Sequence, residues 1–160
     1  MKKFIFLLVL STGCHSSVYL VVGNNTFNTE QSKPRLKKLI LLDDKYFEHN
    51  QELIEMLNKK RWPELELAQR RMDRQSSEFL QAIRLMILSN YNASYELLKN
   101  LPDDAFECET QILRADCLHD LHRTSVDSLY EQYQRAADCS RNSTIKELAK
   151  KRFLFVKHGY

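Results

Sequence analysis

Thiols are the groups in this chain best placed to do chemistry, and their spacing divides them. Cys14 stands alone near the N-terminus, while Cys108, Cys117 and Cys139 fall in the last third. A thiol can accept an acyl group, pair with a second thiol, or join histidines around a soft metal. Metal ligands crowd together at one place, Asp116-Cys117-Leu118-His119-Asp120-Leu121-His122, where His119 and His122 share a helix face. No fourth ligand stands at a fixed spacing, and His122 falls at a helix end, where imidazole simply complements the dipole. His49 and His158 are isolated, and no Ser–His–acid set, paired-carboxylate motif or phosphate loop occurs. No catalytic residue, metal or cofactor is therefore expected.

The surroundings of Cys14 are specific. Lys2 and Lys3 precede the apolar run Phe4-Ile5-Phe6-Leu7-Leu8-Val9-Leu10, which Ser11-Thr12-Gly13 joins to Cys14. A basic start, a short apolar run and small residues make a signal peptide, and the run is too short for a membrane span. Gly13-Cys14 resembles the lipobox of bacterial lipoproteins, although Ser11 stands where an aliphatic residue is usual. The resemblance implies cleavage after residue 13, lipidation of Cys14, and a durable anchor of several acyl chains. His15, rather than Asp, follows the cysteine. By resemblance to bacterial sorting rules, that implies the outer membrane, periplasmic face.

Three segments follow: a signal peptide over 1–13, a lipidated tether over 14–34, and a helical domain over 35–160. Within the tether, the apolar run Val18-Tyr19-Leu20-Val21-Val22 is expected to lie against the domain. The formal charge of +3 falls to +1 once Lys2 and Lys3 leave, which argues against a nucleic-acid partner. No glycine lies between Gly23 and Gly159, so tight hairpins and phosphate-cradling loops are excluded and the body is expected to be all-α. Helical periodicity begins at Leu36, with a break near Asp43-Asp44 and a stop at Lys59-Lys60-Arg61. Trp62-Pro63 reopens a helix to about Arg74, and Ser76-Ser77 caps the next. Further helices are expected from Ala93 to Leu101, from Asp103-Asp104 to Leu121, from Val126 to Cys139, and from Thr144 to Val156.

Ala82, Ala115 and Ala149 recur 33 and 34 residues apart, and Tyr91, Ser94 and Leu98 follow the first of them at helical spacing. A period near 34 with small residues at helix crossings resembles the tetratricopeptide repeat. The resemblance implies stacked antiparallel helix pairs with a concave face lined by the first helix of each pair. On that face Gln81, Arg84, Gln111 and Arg114 match pairwise at a spacing of thirty and are expected to hold a partner's backbone or an acidic segment. If the turn of the second pair centres near residues 123 and 124, Cys108 and Cys139 sit level, whereas Cys117 is offset from Cys139 by roughly 12 Å along the axis. A Cys108–Cys139 disulfide with Cys117 reduced is the expected pairing. Tetratricopeptide lipoproteins serve as pilotins and assembly factors, so the resemblance implies a scaffold for a secretion or pilus machine, with a secretin or pilus subunit as partner. A regulator of a periplasmic cell-wall enzyme is the alternative, and a metal or small-ligand binder resting on His119 and His122 is a further one.

Overall fold

The computed structural model describes residues 19–24 and 38–158. Cys14 and the expected signal segment 1–13 lie outside them. Among the described residues are two strands, β1 (Tyr19–Val22) and β2 (Lys38–Leu41). Seven helices follow: α1 (Asn50–Asn58), α2 (Trp62–Gln69), α3 (Arg74–Ile87), α4 (Tyr91–Lys99), α5 (Glu109–Asp120), α6 (Val126–Cys139) and α7 (Ser143–His158). The body is mostly helical, and from α3 to α7 each helix packs on the next in sequence.

The helix starts have local causes. Asp73 caps α3 by accepting the Ser76 N–H at 3.0 Å and its hydroxyl at 2.6 Å. Asn90 caps α4 and Ser125 caps α6 in the same manner. Pro63 occupies the first turn of α2, where a missing N–H costs nothing. Three expected boundaries move. The helix opened by Trp62 ends at Gln69 rather than near Arg74, because Asp73 takes the capping role assigned to Ser76-Ser77. Asp103-Asp104 do not start a helix. The chain turns there, and α5 begins only after Phe106, Glu107 and Cys108, all at left-handed φ of 53° to 71°. Phe106 joins a cluster with Phe79 (ring centroids 4.1 Å) and Phe47 (5.3 Å), which holds this unfavourable backbone in place.

The larger correction concerns residues 36–42. In place of a helix, Lys38–Leu41 is a strand pairing in parallel with Tyr19–Val22, Tyr19 opposite Lys38 and Val22 opposite Leu41. Leu39, Ile40, Leu41 and Leu42 are all buried, so the run is apolar on both faces, as befits a strand covered from both sides. The strand alternation then divides the interior. Tyr19, Val21, Ile40 and Leu42 face a core built by α1 to α4. Val22, Leu39 and Leu41 face a second core built by α5, α6 and α7. The sheet is a wall between two helical layers, so the segment Tyr19–Val22, inside the expected tether, is an integral part of the folded body.

A two-stranded sheet has four rows of backbone groups and one ladder, which leaves two rows without strand partners, and here those free edges are buried. Side chains supply the missing partners. On the β1 edge, Asn58 accepts the Val21 N–H at 3.0 Å and donates to the Val21 carbonyl at 2.8 Å. On the β2 edge, Arg152 donates to the Leu39 carbonyl at 2.7 Å and Glu109 accepts the Leu41 N–H at 3.2 Å. At the far end of α5, Cys108 and Cys139 are bridged with Cα atoms 6.2 Å apart, and Cys117 is free and buried. The bridge ties the start of α5 to the end of α6.

Candidate functional site

The crowded stretch on α5 lies in the interior. Asp116 is fully buried and receives three bonds: two from Arg152 Nε, at 3.1 and 3.0 Å to its two oxygens, and one from the Tyr133 hydroxyl at 2.7 Å. Lys38 Nζ lies 2.9 Å from Asp120 and 3.8 Å from Asp116. The Tyr19 hydroxyl donates to the other Asp120 oxygen. His119 Nδ1 stands 3.2 Å from both Lys38 Nζ and Asp120 Oδ1. Two cations and two carboxylates therefore balance in a closed space, tying β1 and β2 to α5, α6 and α7. Burial opposes ionisation of Asp120, yet its contacts with His119, Lys38 and Tyr19 hold its carboxyl well below the usual range.

Two other groups on α5 are kept neutral. Burial pushes Glu109 up to about 8, against the opposing N–H bond from Leu41 and the charge of Arg152. Its Oε2 has no hydrogen-bond partner among the described residues. Burial pushes the Cys117 thiol up to about 12, with Ser94 Oγ its neighbour at 3.6 Å, so it is a poor nucleophile. No group of three His, Cys, Asp or Glu stands together in a metal-holding arrangement among the described residues. Chemically this cluster can hold the sheet edge and exclude water, and it offers no open position to a ligand.

The four expected partner-contact residues are half-buried rather than open. Arg84 reaches from α3 back to α2, donating to Glu66 at 2.7 Å and lying 5.2 Å over the Trp62 ring. Arg114 closes the end of α4: its guanidinium donates to the carbonyls of Leu98 (2.9 Å) and Leu101 and to the Asp103 carboxylate. A cation on these last carbonyls complements the helix dipole. Gln111 Nε2 donates to the Asp103 carbonyl at 3.0 Å, beside Arg114. The two arginines thus work within the molecule at different helix junctions, and their replacement is a perturbation of the fold.

An open concavity occurs elsewhere, between the Tyr46-to-Met56 segment and the α2–α3 junction, with a volume of about 580 Å³. Phe47, Leu53 and Ala68 make its floor, Met56 and Met72 its adaptable walls, and Glu48, Glu52, Asp73, Arg71 and His49 its rim. Three carboxylates face one guanidinium, so the rim is net acidic. An apolar floor with methionine walls suits an amphipathic segment carrying basic residues. The sequence signal for this cleft is weak: Met56 and Met72 lie on different helices and come together only through the α1–α2 fold-back.

Among the described residues no helix is long and apolar enough to cross a membrane. Set against known proteins, the chain matches no family model, no curated protein and no solved structure.

Proposed function

We propose that this chain is a lipoprotein, anchored through Cys14 at the periplasmic face of the outer membrane, that serves as a protein-interaction scaffold. Its most specific form is a pilotin or accessory subunit of a secretion or pilus machine. The observation that carries the binding role is the open cleft, with its apolar floor, methionine walls and net acidic rim. The anchor rests on the charged start, the short apolar run and Gly13-Cys14. The tetratricopeptide-like reading of α3–α4 and α5–α6 is supported by Ala82, Ala115 and Ala149, all fully buried where neighbouring helices meet. Ser94 adds to it by donating to the Ala82 carbonyl at 2.9 Å, a contact that requires close approach of α3 and α4.

Co-purification from detergent-solubilised membranes tests the role. The expected result is a secretin or pilus subunit retained by the native protein and lost in the double variant Met56→Asp, Met72→Asp, with Cys14→Ser abolishing fatty-acid labelling. Recovery of a peptidoglycan enzyme instead would favour the regulator reading, and a partner retained by the double variant would remove the cleft from consideration.

A further inference from the structure

The docked strand β1 changes what an anchor at Cys14 means, and the inference rests on that anchor reading. From Cys14 to Tyr19 is five residues, which span at most roughly 17 Å. Were the chain free as far as Lys38, the leash would be 24 residues and reach roughly 80 Å. With β1 built into the wall between two cores, only the short leash remains. The headgroup layer itself occupies several ångströms of it, given a hydrocarbon core of about 30 Å within a total of about 40–45 Å.

One end of the body therefore stays against the bilayer, and contacts identify which. Tyr19 meets Asp120 at the end of α5 and packs on Tyr91 at the start of α4, ring centroids 6.3 Å apart. Arg123, in the α5–α6 turn, donates to Asn92 at 2.8 Å. Asn58, at the end of α1, clamps Val21. Phe155, late in α7, lies 5.8 Å from His119. The α1–α2, α3–α4 and α5–α6 turns and the close of α7 thus share the end from which β1 starts. Among the described residues, three of the five exposed large apolar side chains lie at that end, Leu88 (48%), Val126 (56%) and Leu154 (46%). With them are the exposed cations Lys60, Arg123 and Lys157. Glu55 and Glu64 nearby are paired with Lys59 and Arg61, which leaves Asp127 as the carboxylate beside Val126.

We infer that this end is a membrane-docking face: its cations engage the anionic phospholipid headgroups around the anchor, and Leu88, Val126 and Leu154 press into the interface. Apolar residues among cations form the composition that binds anionic interfaces. The cleft runs along α1 from the Tyr46-to-His49 segment to Met56 and is closed by the α2–α3 junction, which lies at the opposite end.

The acylated full-length protein is reconstituted in phosphatidylethanolamine vesicles containing phosphatidylglycerol, with a fluorophore on Ser89→Cys or on Arg141→Cys. Ser89 is exposed in the α3–α4 turn and Arg141 is exposed at the opposite end. A lipid-borne quencher is expected to quench the Ser89→Cys label several-fold more than the Arg141→Cys label. Equal quenching overturns the docking face. The triple variant Lys60→Glu, Arg123→Glu, Lys157→Glu is expected to bring the ratio towards unity while the protein still floats with vesicles, and an unchanged ratio overturns the electrostatic contribution. Mass spectrometry of the Cys14 peptide separates the two readings. An unacylated peptide removes the anchor and the docking with it, whereas an acylated, floating protein with equal quenching removes the docking alone.

Discussion

Glu109→Gln is expected to stabilise this protein increasingly as pH rises. In the folded state burial pushes the Glu109 carboxyl up to about 8, from an ordinary value of 4.5. A group whose pKa is raised by folding contributes its full stability below the unfolded value and loses it as pH climbs through the folded one. Between pH 4.5 and 8 the native state holds a proton that the unfolded chain has released. Each unit in that window then costs the native protein about 1.4 kcal/mol. Gln keeps the oxygen that accepts the Leu41 N–H at 3.2 Å and has no proton to lose. It also places an NH2 where the acid has Oε2, at a penalty of about 1–3 kcal/mol that does not vary with pH. The slope is therefore the diagnostic quantity. The variant's stability relative to native should rise by roughly 3 kcal/mol between pH 5 and pH 7.5. Urea denaturation of both proteins across that range measures it, and every other titrating group cancels in the difference. A difference that stays flat with pH would refute the placement of Glu109 as a buried, protonated acid.

Four further outcomes follow from the same contacts. Removing the bridge with Cys108→Ser and Cys139→Ser, which opens a link between residues 31 apart, should lower stability by about 4 kcal/mol in the chain-entropy model, read by denaturant titration. In the native protein Cys117 should resist thiol reagents until the chain unfolds, and fast labelling under native conditions would contradict its burial. Asp116→Ala should cost about 3–5 kcal/mol, because Arg152 and Lys38 would be left buried with one carboxylate fewer, whereas an exposed pair such as Arg135–Glu131 should contribute under about 1 kcal/mol. Arg114→Ala should lower the melting temperature more than Arg84→Ala, since Arg114 satisfies two helix-end carbonyls and Arg84 one half-exposed carboxylate. Equal shifts would deny Arg114 its capping role.

Much of the helical layout was legible because its signals are local. Pro63 opens α2, Pro102 follows the end of α4, the His122-to-Ser125 stretch turns, and α6 runs from Val126 to Cys139 as its periodicity predicts. The buried faces were legible too: Tyr91, Ser94 and Leu98 on α4, and Leu129, Tyr133 and Ala136 on α6, are all interior. What failed was non-local. Leu39-Ile40-Leu41-Leu42 is a short apolar run that periodicity alone cannot assign, and only the partner strand nineteen residues earlier makes it β. The buried cluster was equally hidden, because Lys38, Glu109 and Arg152 become necessary only once a two-stranded sheet has edges to satisfy. Arg84 and Arg114 show the converse error: helical spacing placed them on an open face, but residues on neighbouring helices, Glu66 and Asp103, had already claimed them.

The cost of burying Lys38, Asp116, Asp120 and Arg152 makes sense only in view of what they hold. Four charges in a dry interior contribute little net stability and are often replaceable by apolar groups. Yet these four fasten β1 and β2 to α5 and α7, and Asn58 fastens β1 to α1. β1 buries only three of its four residues, Tyr19, Val21 and Val22, which is little apolar area to hold a strand between two cores. Directional, geometry-demanding bonds at Tyr19, Val21 and Lys38 resist sliding of that strand by one residue, a slip that would also exchange its two faces between the cores. The polar cluster thus gives register and grip to the strand that divides the two helical cores.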